Sequence, residues 1–133
     1  MNKIFKGLLV FILFNFIASC QKKDNTPVNL SKVSVVFANP ATGQIFRKGD
    51  TVMINAVVTY ISEINGLGLQ IIDTAKGEIL YSDDHDLHTD HFTLNGSWLD
   101  TLSNTTALQV KVSVFVANST IPAVRTMYIS SNP

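Results

Sequence analysis

The residues from 107 to 117 (ALQVKVSVFVA) are the segment that most limits what this chain can fold into. Apolar residues alternate there with mostly polar ones, which is the two-residue period of a strand with one buried face. Shorter runs with the same alternation recur along the chain, and no run has the 3.6-residue period of an amphipathic helix. The pattern therefore predicts an all-β domain.

Seven runs are predicted as strands, separated by turn signals rich in Gly, Pro, Asn and Asp. The runs are residues 31–37, 51–60, 67–73, 78–82, 92–98, 107–117 and 124–129, with a short apolar pair at 45–46. About seven strands at this spacing, without an intervening helix, predict a single antiparallel β-sandwich.

Residues 46–56 and 64–67 (INGL) resemble the early strands of bacterial immunoglobulin-like domains. The resemblance implies an immunoglobulin-like sandwich over residues 31–133. The chain differs from antibody domains, because it has no Cys pair, its Trp98 falls late, and no Tyr opens the strand at Ala107. An antigen-receptor function is therefore not implied.

The first twenty residues form a separate unit. Lys3 and Lys6 precede an apolar stretch at 7–17 (GLLVFILFNFI). A helix of that length rises ~16 Å, which is too short for the ~30 Å hydrocarbon core of a bilayer. The stretch is typical of a secretory signal peptide, and the alternative is a short buried helix.

Residues 17–20 (IASC) resemble the lipobox of bacterial lipoproteins. The resemblance implies lipidation of Cys20, removal of residues 1–19 and acylation, for example with palmitate, of the new amino terminus. Two or three acyl chains exceed the one-chain limit for stable membrane anchoring. The whole chain resembles small surface lipoproteins that carry one immunoglobulin-like domain, many of which have no known function.

A polar tether is predicted over residues 20–30, since 21–30 (QKKDNTPVNL) lacks periodicity. Extended, it reaches at most ~35 Å. Gln21 follows Cys20 with no acidic residue to suggest retention in the inner membrane. The expected location is therefore the outer membrane, on either its periplasmic or its surface side.

Composition and motifs exclude several functions. Ten basic and ten acidic residues balance, so no excess of positive charge is available to neutralise nucleic-acid phosphates. The chain lacks a G-x-S-x-G motif and a Gly-rich phosphate loop. We therefore expect a protein that is not an enzyme and does not bind nucleic acid.

One segment, residues 82–92 (SDDHDLHTDHF), carries all three histidines and four of the ten acidic residues. Imidazole and carboxylate are ligands for zinc, copper or nickel. Residues three apart lie ~10 Å apart and on opposite faces in a strand, whereas a turn brings them to ~5–6 Å. If the segment is a turn, the candidate metal ligands are His85, His88, His91, Asp83, Asp86 and Asp90.

Two other interpretations of this segment stay open. The Asp residues would keep a solvated loop soluble. Alternatively, protonation of three histidines near pH 6.5 would bring residues 31–133, with six basic and nine acidic groups, from a charge of −3 to about zero. That change would make the segment a pH switch.

Carbohydrate binding is the rival to metal binding, and it usually needs exposed aromatic platforms. Phe37, Tyr60 and Phe92 are expected in the core. Phe115 is the most informative candidate, because it lies on the polar side of the strand at 107–117. The alternative is that it is covered at a sheet edge or contacts a second sheet. The full set of candidate platforms is Tyr81, Trp98, Phe115 and Tyr128.

An Asp-Thr-apolar pattern occurs three times, at residues 50–52, 73–75 and 100–102. It resembles an O-glycosylation acceptor of exported proteins in some Gram-negative lineages, which implies modification of Thr51, Thr74 and Thr101. The alternative is ordinary turn chemistry, with Asp capping the turn and Thr starting a strand.

Together these features predict a lipid-anchored envelope protein whose single domain is a binding or interaction module. The first predicted function is capture of a divalent metal by the His/Asp segment. The second is adhesion to carbohydrate or protein, and the third is a purely structural role in the envelope. A metal site requires the three histidines to converge. Adhesion predicts exposed coplanar aromatic rings and separated histidines.

Overall fold

The computed structural model describes residues 27–133, so the predicted signal peptide, Cys20 and most of the predicted tether lie outside the described range. A single 3-10 turn at Leu30–Lys32 comes first. The rest of this range consists of β-strands and their connections and contains no α-helix. Its strands are β1 (Ser34–Asn39), β2 (Ile45–Arg47), β3 (Thr51–Asp73), β4 (Ile79–Leu99), β5 (Thr106–Val116) and β6 (Ala123–Asn132).

The first layer of the fold is built around residues 51–60 of β3. They pair antiparallel with β1 on one side and with residues 91–99 of β4 on the other. Val57, for example, lies between Val36 and Thr93.

The second layer is built around residues 64–73 of the same strand. They pair antiparallel with β5 and with residues 79–86 of β4, so that Leu69 lies between Val112 and Asp83. β6 follows beside β5, and β2 pairs in parallel with β6. The order β1-β3-β5-β6-β2, with β4 beside β3, is that of one long sheet folded into an immunoglobulin-like sandwich.

β3 and β4 pass from one layer to the other at a pair of irregularities. The register between them shifts between Thr59 and Ile64 and again between Ile64 and Gly66. Extra residues of this kind bend a strand and increase its twist. The hairpin can therefore cross the corner without a loop.

The core lies between the inner faces of the two layers. Leu108, Val110, Val112 and Val114 of β5 are all 0% exposed, which confirms the alternation seen in the sequence. A Cβ atom built on Gly96 of the first layer would lie 2.6 Å from Cδ2 of Leu69 in the second. The two layers therefore touch directly at this point.

Two of the predicted gaps between strands are absent. The predicted strands at 51–60 and 67–73 are both parts of β3, and those at 78–82 and 92–98 are both parts of β4. The prediction of a loop at 82–92 is therefore wrong. Asp has a low strand propensity, but propensity depends strongly on context, and here β3 offers a pairing partner along most of this length.

The turns predicted between residues 46 and 51 and between residues 73 and 78 are confirmed, and they contain Gly49 and Gly77. Both residues have positive φ angles, 95° and 69°, and glycine adopts such angles without a steric cost. Within residues 27–133, no helix has the length and apolar character needed to span a bilayer.

Candidate functional site

The His/Asp segment lies within β4, and the strand geometry separates its histidines. His85 is half-buried, whereas His88 and His91 are exposed. In a strand, residues three apart point to opposite faces ~10 Å apart. The turn that would have joined the three imidazoles around one ion is not formed.

The six candidate metal ligands are accordingly not gathered into one group. Within residues 27–133, no cluster of three or more His, Cys, Asp or Glu side chains is arranged to hold a metal ion. Asp86 and Asp90 are exposed, and the carboxylate of Asp84 lies over Gly68, where a Cβ atom would be 2.8 Å from its Oδ1. A site formed by all three histidines would require another arrangement of the chain, and metal binding by this segment stays a prediction.

Each of two histidines has one acidic neighbour instead. Nε2 of His85 lies 3.2 Å from Oδ2 of Asp83, but the two atoms do not have hydrogen-bond geometry. The centroid of the His85 ring lies 5.1 Å from that of the Phe92 ring. Nδ1 of His88 donates a 2.6 Å hydrogen bond to Oε1 of Glu63.

The Glu63 contact has an electrostatic consequence. The hydrogen bond, together with the charges of Glu63 and Asp86, raises the pKa of His88 above its ordinary value of 6.5. Because the side chain of His88 is 75% exposed, solvent screens this effect and the contact adds little to stability.

The Asp side chains of residues 82–92 lie along the unpaired edge of β4. In the described part of the chain β4 pairs with β3 alone, so the opposite edge of this 21-residue strand has no backbone partner there. Exposed edges invite pairing with another chain, and charged side chains along an edge discourage it. The Asp residues can therefore keep this edge from aggregating.

The aromatic candidates divide into two pairs. Tyr81 and Trp98 are half-buried and pack against the core. Phe115 and Tyr128 are exposed, at 47% and 53% of their surface. The three aromatic residues expected in the core, Phe37, Tyr60 and Phe92, are buried or packed against it.

Phe115 and Tyr128 share the outer face of the second layer. Tyr128 lies directly opposite Gln109, whose Nε2 donates a 3.1 Å hydrogen bond to the Tyr128 hydroxyl. Gln109 and Phe115 are six residues apart on β5, which places them on one face at a separation of ~20 Å. We call this surface the Phe115–Tyr128 face.

The surface between the two rings is mostly polar, with Val124 as an exposed apolar residue opposite Ser113. Lys111 lies between Gln70 and Thr126 in neighbouring strands, and Ser113 is next on the same face. Gly66 lies opposite Phe115, where a Cβ atom would come within 3.8 Å of the ring. The absence of a side chain at residue 66 therefore leaves this part of the Phe115 ring uncovered.

The three predicted glycosylation threonines, Thr51, Thr74 and Thr101, are all exposed. Turn chemistry also accounts for their sequence context, because the preceding aspartates accept backbone hydrogen bonds. Asp73 Oδ1, for example, accepts from the N–H groups of Ala75 and Lys76. Glycosylation of the threonines stays a prediction.

A row of asparagines was missed by the sequence analysis. Asn39, Asn55 and Asn95 lie opposite one another on three adjacent strands of the first layer. Their side chains are joined by two amide hydrogen bonds, at 3.3 Å and 2.7 Å. Asn55 and Asn95 belong to predicted strands and Asn39 to a predicted turn, but only the strand register shows that the three align.

No protein-family model matches the chain, and the comparison with curated proteins finds no match. Among solved structures, the chain is similar to the fibronectin(III)-like modules of CbhA from Clostridium thermocellum, with 14% identity and a TM-score of 0.45. That match covers 75% of this chain but 45% of the other, so this chain spans less than half of its length.

A second similar structure is the CARDB domain of the PF1109 protein from Pyrococcus furiosus in complex with di-metal ions. It has 10% identity and a TM-score of 0.46, and the match covers 78% of this chain and 97% of the other. At such identities the likeness concerns the fold alone.

Proposed function

We propose that this protein is a lipid-anchored envelope lipoprotein whose immunoglobulin-like domain binds an extended glycan on the Phe115–Tyr128 face. Lipidation of Cys20, after removal of residues 1–19, would attach it to the outer membrane. The sequence of residues 1–20 supports the anchor. The domain then starts close to the membrane, because Asn29 already donates its backbone N–H to the hydroxyl of Tyr60, at most ~30 Å of extended chain from Cys20.

The observation that carries the glycan proposal is the exposure of both aromatic rings on one face. An apolar ring left in water is a ready platform for the C–H face of a sugar. The groups between the rings, among them Gln70, Lys111 and Ser113, offer amide, ammonium and hydroxyl partners for sugar hydroxyls. The ~20 Å between Phe115 and Gln109, the residue opposite Tyr128, suits a chain of several sugar units rather than one.

The test is affinity electrophoresis of the mature lipoprotein, in detergent, through gels that contain neutral or envelope polysaccharides. Phe115→Ser and Tyr128→Ser should each weaken retardation about tenfold, or about 1.4 kcal/mol. Ile61→Ser is the control, because Ile61 is also an exposed apolar residue, at 67%, but lies at the corner of the hairpin. Absence of retardation for the wild type, or equal retardation of all variants, would refute the proposal.

Metal capture is the second candidate, and the Asp83–His85 contact at 3.2 Å favours it. Two ligands give weaker binding than the three-histidine arrangement. Thermal unfolding with and without zinc, copper or nickel tests this candidate. Ligand excess of a hundredfold over Kd should raise stability by ~2.7 kcal/mol, and His85→Ala should abolish the shift; an equal shift in both proteins would eliminate the site.

A further inference from the structure

A cleft of about 300 Å³ lies where the connection from β1 to β2 crosses from the first layer to the second. Its walls come from the end of β1, the connection to β2 and the start of β3. The residues that line it are Asn39, Pro40, Gln44, Phe46, Thr51, Met53 and Asn55. None of these seven residues is charged: three carry side-chain amides, three are apolar, and Thr51 carries a hydroxyl group.

The amides at this cleft are held in place by one another. Nδ2 of Asn39 donates to Oδ1 of Asn55, and Nδ2 of Asn55 donates to Oδ1 of Asn95. Gln44 is fixed as well, because its Oε1 accepts the backbone N–H of Ala41 at 3.0 Å. Since these groups are already ordered, a ligand would not have to immobilise them on binding.

The amides also retain unused hydrogen-bonding capacity. A primary amide has two N–H donors and an acceptor oxygen. The bonds above use one donor of Asn39 and one of Asn55. Within residues 27–133, the Oδ1 atom of Asn39 and the Nε2 atom of Gln44 have no hydrogen-bond partner. The cleft thus presents both donors and acceptors to a ligand.

We infer that this cleft binds a single neutral sugar ring. Hydroxyl groups both donate and accept, which matches the amides of Asn39, Gln44 and Asn55. The side chain of Met53, an exposed residue that lines the cleft together with Phe46, offers an apolar surface for the C–H face of the ring. A charged ligand would lose hydration without an opposite charge in the cleft to replace it.

The size of the cleft agrees with a small ligand. Ligand sites span ~300–1,000 Å³, and this cleft is at the lower limit. It involves the first layer and the crossing to β2, whereas the Phe115–Tyr128 face belongs to the second layer. The inference is therefore independent of the proposed function, and each can fail without the other.

The experiment is NMR titration of the mature lipoprotein in detergent, following the side-chain amide signals of Asn39, Gln44 and Asn55. The probes are glucose, galactose, mannose and N-acetylglucosamine, with glucuronate as the charged counterpart. Neutral sugars should shift these signals with a Kd of about 1 mM, and glucuronate should bind at least tenfold more weakly. Titration without shifts, or equal binding of glucuronate, would overturn the inference.

Variants locate the sugar. Asn55→Ala removes the central amide and should weaken binding about tenfold or more, while Asn104→Ala, at an exposed loop position, should leave it unchanged. Phe115→Ser should also leave it unchanged. If Asn55→Ala lowers the thermal midpoint, Asn39→Ala replaces it. Binding that survives loss of the amide, or that disappears with Phe115→Ser, would contradict the assignment to the cleft.

Discussion

Gly96 provides a sharp test of how the two layers pack. It is buried in β4 opposite Ile54. A Cβ atom there would lie 2.6 Å from Cδ2 of Leu69, 3.6 Å from the hydroxyl of Tyr81 and 3.8 Å from Cβ of Ile54. Because Leu69 is fully buried, its methyl group has little room to move. Gly96→Ala should therefore overpack the core.

The expected magnitude is the difference between two effects. Adding a methyl group to a well-packed core costs ~1–3 kcal/mol. Replacing Gly by Ala also restricts the unfolded chain, which returns ~0.4–1 kcal/mol. The middle of each range leaves a net loss of about 1.3 kcal/mol in the free energy of unfolding, or a thermal midpoint lowered by roughly 5–10 °C for a domain of this size.

A double-mutant cycle in urea separates this contact from other effects. Leu69→Ala alone should cost ~2–5 kcal/mol. In that background the methyl group of residue 96 no longer meets Cδ2, so Gly96→Ala should become neutral or stabilising, with a coupling energy of ~1 kcal/mol or more. Ser97→Ala, at the neighbouring exposed position, should change stability by no more than ~0.5 kcal/mol.

The result that would refute the reasoning is additivity. If Gly96→Ala costs the same with Leu or Ala at position 69, the two residues do not touch across the sandwich. If Gly96→Ala leaves the free energy of unfolding of the wild type unchanged, a Cβ atom at residue 96 does not clash with Leu69, and the two layers are farther apart at this point than the 2.6 Å distance indicates.

Three further predictions concern the anchor, the core and one histidine. Cys20→Ala should leave an unprocessed or mislocalised protein, and a mature-sized, acylated band in the membrane fraction would contradict the lipoprotein proposal. Val112→Asp should prevent folding, because it places an unpaired charge in the core; far-UV circular dichroism should lose the β-signal of the wild type, and an unchanged spectrum would argue against burial of Val112. Glu63→Gln should lower the pKa of His88 toward 6.5 in an NMR titration, since the Glu63 contact raises it. Because the pKa is raised in the folded state, the contact stabilises the fold at pH values below the unfolded-state pKa, and this stabilisation is lost as the pH rises through the folded-state pKa. An unchanged pKa of His88 in the variant would show that the contact is absent in solution.

Local sequence determined those features that depend on neighbouring residues in the chain. The alternation in β5 gives each inward position an apolar side chain, so only one face can be buried. Gly49 and Gly77 mark turns because their positive φ angles exclude most other residues without strain. The predicted anchor at Cys20 likewise rests on a linear signal read along the chain.

Tertiary structure decided the features that depend on which strands become neighbours. Residues 82–92 lack a strong strand propensity, yet pairing with β3 extends β4 through them and separates His85, His88 and His91. Phe115 and Tyr128 share a face, and Asn39, Asn55 and Asn95 share a row, because of the register between strands distant in sequence. A shift of one residue in register turns every side chain to the opposite face, and the residue types alone do not fix that register.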